Sequence, residues 1–219
     1  MITVLGRRNS ANVQKVMWTL GELDIPYSRI DVGGSFGYPE NYPNPNQVVP
    51  TIQDDQHDNL VVWESNSCVR YLAYHYGQGT LWPDNPAALA CADMWMEWQR
   101  SDISAFFLLF QMLVRGLPGT PEKLQQAEAT CRRTFDQLDQ QLQGRDYICG
   151  GRLSMADIVI GAMMYRYMTL PIERADQSAL QAWYARLCER PAYQKHVMLE
   201  YGSNVQEWDA HEQANAGIQ

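Results

Sequence analysis

No two cysteines of this chain stand in a Cys-x-x-Cys pair or at zinc-ligand spacing. Cys68, Cys91, Cys131, Cys149 and Cys188 are scattered and odd in number. That pattern excludes a dithiol centre and a structural zinc site and reads as reduced, mostly buried thiols. His57, His75, His196 and His211 have neither ligand nor triad spacing, so no metal is expected. No Lys/Arg-rich run interrupts a formal net charge of −8, a balance that repels a phosphate backbone and sets nucleic acid aside as a partner. Long apolar runs are missing as well. The longest, Ile158 to Tyr165, is closed off by Asp157 and Arg166, far short of the roughly 20 residues of a membrane helix. At the start, Arg7 and Arg8 arrive before a signal-length apolar segment can develop, so neither secretion nor membrane attachment is expected and the cytoplasm is the expected compartment. There is no internal repeat. What is present is 219 residues with 46% hydrophobic and 19% charged side chains, a folding composition long enough for one large domain or two small ones.

Along the first third of the chain the signals alternate. Ile2 to Leu5 is a short β-branched and apolar strand ended by Gly6. Val13, Val16, Met17, Leu20 and Leu23 recur at helical spacing, with Gln14, Lys15, Glu22 and Asp24 on other faces, and Pro26 stops the helix. Tyr27 to Val32 reads as a second strand, and strand–helix–strand implies a right-handed parallel crossover. The glycines, prolines and asparagines of Gly33 to Gln47 predict an irregular, mobile loop. Pro50 lacks the N–H a ladder needs, so it serves as a turn ahead of Thr51-Ile52. Asp54-Asp55 and Asp58-Asn59 connect that strand to Leu60–Trp63 as a hairpin. Glu64-Ser65 then opens a helix with Val69, Leu72, Ala73 and Tyr76 inward, ended by Gly77. The order is βαβ, loop, ββα.

After the proline-containing stretch Leu81–Pro86, an expected linker, no strand pattern recurs. Ala87 to Arg115 favours one helix and carries the aromatic stripe Trp95, Trp98, Phe106, Phe107 and Phe110, which reads as core or dimer surface ahead of a pocket lining. Glu122 to Leu142 is amphipathic. Ser154-Met155-Ala156-Asp157 is a capping box with Asp in place of Glu, leading into a helix apolar on most sides and therefore central. Ala179 to Arg190 is another helix, Pro191 opens a short one, and Ser203 to Gln219 reads as a loose tail.

Four pieces in order carry a resemblance: Arg8-Asn9-Ser10-Ala11-Asn12-Val13 with Lys15-Val16, Asn44-Pro45-Asn46-Gln47-Val48-Val49-Pro50, Trp63-Glu64-Ser65-Asn66, and Ser154-Met155-Ala156-Asp157. On these the chain resembles the cytosolic glutathione transferase superfamily from Met1 to about Tyr201, most closely bacterial members with Ser or Asn at the first helix. Gln47 departs from the glycine of many relatives. The resemblance implies an α/β thioredoxin-like N-terminal domain with a mixed four-stranded sheet over 1–80, a linker at 81–86, an all-α helical bundle domain over 87–202 and a tail at 203–219. It implies glutathione as co-substrate, a homodimer, and transfer of the glutathione thiolate to electrophilic, mostly apolar small molecules. Glutathione-dependent disulfide or peroxide reduction, and a non-catalytic ligand-binding protein of the same fold, are the alternatives.

A helix N-terminus and nearby donors lower a thiol pKa, and the thiolate is the nucleophile. Under the resemblance, Ser10 or Asn12 donates to the glutathione sulfur. On the residues alone, Ser10 caps the first helix and Asn12 lies exposed on its first turn. The resemblance also makes Val49-Pro50 a cis-proline turn whose Val49 backbone pairs with the cysteinyl part of glutathione. Glu64 then meets the γ-glutamyl ammonium, and Ser65 its carboxylate. Plain helix capping is the competing reading of that pair. Arg115 reads as solvated, with an acidic group of glutathione as its alternative partner, and Cys68 as a packing residue.

Overall fold

The computed structural model describes all residues, Met1 to Gln219. Strand β1 (Ile2–Leu5), helix α1 (Ala11–Glu22) and strand β2 (Tyr27–Ile30) form the parallel crossover, and β3 (Thr51–Asp54), β4 (Leu60–Trp63) and α2 (Ser65–Tyr76) complete the first domain. The sheet order is β2-β1-β3-β4, with β1 parallel to β2 and antiparallel to β3, and β3 antiparallel to β4. This is the expected mixed four-stranded sheet. Strand β1 is central, so Ile2 and Val4 are almost completely buried, packing with Val13, Val16, Leu20, Ile52 and Leu72 in a small core. Between β2 and β3 the chain is irregular apart from a short 3-10 turn at Gly34–Phe36, and the Val49–Pro50 peptide is cis.

The second domain is helical: α3 (Pro86–Asp102), α4 (Ser104–Leu113), α5 (Pro121–Leu142), α6 (Met155–Thr169), α7 (Ser178–Cys188), α8 (Pro191–His196) and α9 (Val205–Ala214). The single helix expected from Ala87 to Arg115 is two. No Pro or Gly breaks it; serine hydroxyls compete for the carbonyls instead. Ser104 Oγ donates to the carbonyl of Ser101 at 2.8 Å, Ser101 Oγ donates to the Asp102 carboxylate with the carbonyls of Glu97 and Trp98 at 3.3 and 3.4 Å, and buried Ile103 forms the corner. Helix α6 is central, with both halves of its capping box formed. Its Asp157 carboxylate accepts from the N–H groups of Ile148 and Ser154 and from Trp183 Nε1, each at 2.9 Å.

The two domains share one large apolar core, in which Ala11 and Trp18 of α1 and Val69 and Ala73 of α2 pack with the helical domain. At Gly161 of α6 a Cβ would lie 2.8 Å from both Trp18 of α1 and Leu187 of α7, so only glycine fits without a shift. The expectation of a loose tail is corrected. Helix α9 buries Trp208 and Glu212, and Glu212 accepts from the N–H and hydroxyl of Ser35 at 2.8 and 2.7 Å. The polar composition of 203–219 conceals this because Glu212 is buried by charge and hydrogen bonding with the first domain. All five cysteines are free thiols; Cys68 and Cys131 are buried and the other three half-buried.

Candidate functional site

Two cavities adjoin at the N-termini of α1 and α2. The first, about 390 Å³, is lined by Asn12, Lys15, Glu64, Ser65, Asn66 and Gln99 among others. Ser65 Oγ donates to Asn12 Oδ1 at 3.3 Å, tying the two helix starts together. The opening turns of both helices carry backbone N–H groups with no intrahelical acceptor, so the dipoles favour anions here. Glu64 is exposed, makes no capping bond, and holds a left-handed φ of 67°. A non-glycine residue held there costs on the order of 1–3 kcal/mol, a cost that recurs at binding sites.

Lys15 forms the floor of this cavity. Its ammonium donates to Ser65 Oγ at 3.2 Å, Asn66 Oδ1 at 3.0 Å and Gln99 Oε1 at 2.9 Å, all neutral oxygens. Burial pushes its pKa down from 10.5 to about 7, with Glu64 and Cys68 acting weakly in the opposite sense. The side chain is therefore a poised cation directly behind Ser65. Asn66 is held in turn by donating to Met96 O at 3.0 Å and Gln99 Oε1 at 3.3 Å.

The second cavity, about 170 Å³, shares Asn12 and Phe107 with the first and is otherwise lined by Arg7, Asn9, Ser10, Ala11, Phe110, Gln111, Arg115, Arg166 and Trp208. Ser10 occupies the N-cap position of α1 without a side-chain capping bond, leaving its hydroxyl uncommitted to the helix. Arg166 is buried and donates only to neutral oxygens, those of Asn9 O and Gln14 Oε1. Burial lowers its pKa to about 9, opposed next by Tyr201 and aided to a lesser extent by Arg115 and Arg7. Arg115 lies 4.6 Å from the centre of the Trp208 ring.

The sequence-predicted residues divide accordingly. Asn12, Glu64 and Ser65 meet in the first cavity, and Ser10 joins Asn12 in the second. Val49 lines neither. It sits beside Gly6 and Gly33, buried, and no hydrogen bond engages its N–H or C=O. The capping reading finds no support at Ser10 or Glu64. Arg115 is not solvated, being half-buried over Trp208. Sequence reasoning placed Lys15 off the inner face of α1 and passed over Asn66, Gln99, Arg7, Arg166 and Trp208. The available signal for Lys15 was its position three residues after Asn12, on the same side of the helix. Of the aromatic stripe, Phe106 and Phe110 are buried, Phe110 also lining the second cavity, and Phe107 faces both cavities.

Comparison with known proteins agrees with this geometry. The family model described as "Glutathione S-transferase, N-terminal domain" matches residues 9–74, and "Glutathione S-transferase, C-terminal domain" matches residues 102–191. The glutathione S-transferase GstB of Escherichia coli is 40% identical over 209 residues, spanning 91% of this chain and 99% of that protein. The crystal structure of a theta class glutathione S-transferase from Xanthomonas axonopodis pv. citri with glutathione bound superposes with a TM-score of 0.84 at 42% identity, covering 91% of this chain and 98% of that one. Ure2p in complex with glutathione, at 21% identity and a TM-score of 0.80 over 90% and 92% of the two chains, shares the fold. With both domain models matched and relatives of 40% identity, themselves glutathione S-transferases and so enzymes, spanning nearly its whole length, the chain belongs to the cytosolic glutathione transferase superfamily.

Proposed function

We propose that this enzyme holds glutathione across the two helix starts and transfers its thiolate to a small electrophile in the second cavity. The observation that carries the reading is that the polar cavity of Glu64, Ser65 and Lys15 opens onto a second one at Asn12. Glutathione's γ-glutamyl end fits the first, its ammonium toward Glu64 and its carboxylate toward Ser65 and the amides of α2. The free N–H and C=O of Val49 pair with the cysteinyl unit as an added strand. The sulfur then lies at the start of α1, where Ser10 or Asn12 donates to it and the helix dipole favours the thiolate. Attack forms a carbon–sulfur bond and expels the leaving group with its electron pair; neither side chain needs to act as a base.

Exposed Leu60 and Trp63 on edge strand β4, and exposed Met94 on α3, are apolar surface that a two-fold partner would cover, which supports a homodimer. The scattered free thiols suit a cytoplasmic enzyme, and no helix is long and apolar enough to cross a membrane. The test is thiolate titration by ultraviolet absorbance of bound glutathione in Ser10→Ala and Asn12→Ala. Replacing the residue that contacts sulfur should raise the bound thiol pKa by about one unit, worth about 1.4 kcal/mol. An unchanged value in both variants removes them from the mechanism. A chloronitrobenzene assay beside a hydroxyethyl disulfide assay separates transfer from disulfide reduction.

A further inference from the structure

The chain carries 17 basic against 25 acidic side chains, yet the second cavity is lined by three arginines and no acid. Arg7 is the only one with an ion pair, 2.7 Å from Glu212. Glu212, on α9, is also committed to Ser35. The remaining acid acting on this group, Asp209 of α9, is exposed and reaches Arg115 from outside the lining. Arg115 and Arg166 have no carboxylate partner at all, although Arg166 is buried. Buried guanidinium groups without a counter-charge are costly, and each of these also raises the cost of its neighbours. Burial comes first and Arg7 second among the causes that lower the pKa of Arg115. A further polar group points the same way. The Asn9 side chain, 2% exposed, lies beside Glu212, but neither its amide nitrogen nor its oxygen has a partner of hydrogen-bond geometry.

We infer that the second cavity takes an electrophile carrying a carboxylate, with Arg115 and Arg166 as specificity-determining residues. The inference rests on the transferase reading and names its substrate class. A planar guanidinium matches a carboxylate through two parallel hydrogen bonds, and Arg115 has no other ion pair to give up. Phe107, Phe110 and Trp208 supply ring faces for the rest of the molecule. About 170 Å³ suits a compact substrate and not an extended lipophilic one. The anchors named above for the γ-glutamyl and cysteinyl units line the other cavity or sit at Val49, and only the sulfur contacts Ser10 and Asn12 reach this one, which leaves these arginines to the co-substrate.

The test uses 4-chloro-3-nitrobenzoate and its neutral counterpart 4-chloro-3-nitrobenzamide at saturating glutathione, each rate normalised to the uncatalysed reaction. In both, the thiolate attacks the chlorinated ring carbon, a carbon–sulfur bond forms, the carbon–chlorine bond breaks and chloride leaves with the electron pair. The expected result is a kcat/KM preference for the benzoate of at least about 10-fold. That preference should fall about 10- to 100-fold in Arg115→Leu, the loss typical of a charge-assisted hydrogen bond, and be partly kept in Arg115→Lys. Arg115 is half-buried and unpaired, so both variants should fold, which thermal melting checks. A wild-type enzyme that treats the two alike or prefers the amide overturns the inference and leaves the transferase reading standing. So does an Arg115→Leu variant whose preference is unchanged while its KM for glutathione rises, because the arginines would then serve glutathione. No conjugation of either compound, nor of 1-chloro-2,4-dinitrobenzene, would remove the transferase reading and this inference with it.

Discussion

Replacing Lys15 by Met removes a buried ammonium while keeping its length, and its consequence is best read as a pH dependence. At one pH the stability change mixes relief of desolvation with the loss of three hydrogen bonds to Ser65, Asn66 and Gln99. The pH dependence isolates the ionisation. Above about 7 the folded protein sheds the Lys15 proton, whereas the unfolded chain keeps it to about 10.5, so raising pH draws the equilibrium toward the native state. Below about 7 both states are charged and the dependence from this group stops. Between those values the slope approaches 1.4 kcal/mol per pH unit, and allowing for partial protonation at pH 7, Lys15 contributes about 2 kcal/mol of added stability between pH 7 and pH 9. Other groups titrate in that interval, including thiols in the unfolded chain that burial keeps protonated in the native one, so the difference between wild type and Lys15→Met is the quantity of interest. Urea unfolding at pH 6, 7, 8 and 9 measures it. With a slope of about 2 kcal/mol/M, the two midpoints should move relative to one another by about 1 M between pH 7 and pH 9. Parallel profiles would refute the assignment of a neutralisable buried lysine.

Glu64→Gln should raise KM for glutathione about 10- to 100-fold, the loss of a charge-assisted contact, with little change in melting temperature because Glu64 caps nothing; the reverse ranking, by steady-state kinetics and thermal melting, would make it structural. Asp157→Ala leaves the N–H groups of Ile148 and Ser154 and the Trp183 indole without their acceptor, and should cost about 3–5 kcal/mol in urea unfolding, with a loss under about 1 kcal/mol contradicting the network described. Glu212→Gln removes the charge that anchors Arg7 and Ser35 to α9, so hydrogen exchange over residues 205–214 should quicken while α6 is unaffected; unchanged protection would mean that Trp208 packing alone holds the helix.

Much of the fold could be read from residue order. Periodicity and the stops at Gly6, Pro26 and Gly77 mark βαβ and ββα, the capping box marks the start of α6, and the strand lengths follow within two residues. These features are local: a cap, a proline or an apolar stripe acts within a turn or two of where it stands. The same locality explains the misplaced corner at Ile103, where the break depends on which acceptor each serine hydroxyl takes. In the site, the helix starts beside Asn12 and Ser65 were legible as local signals, whereas a role for Asn12, Glu64 and Ser65 with glutathione came from the family resemblance; that the three line one cavity is a tertiary fact.

The burial of charge was not legible. Lys15, Arg166 and Glu212 look like solvated polar residues in any local window, and they are buried only because Gln99, Asn9, Ser35 and Arg7 arrive from distant segments with hydrogen bonds or opposite charge. Desolvation is set by the whole surroundings of a group and not by its neighbours along the chain. Residue order by itself thus determined the elements, their sequence and the two helix starts beside which the cavities lie. Tertiary packing decided that α9 folds back against the first domain, that a lysine lies beneath Ser65, and that three arginines converge beside Asn12.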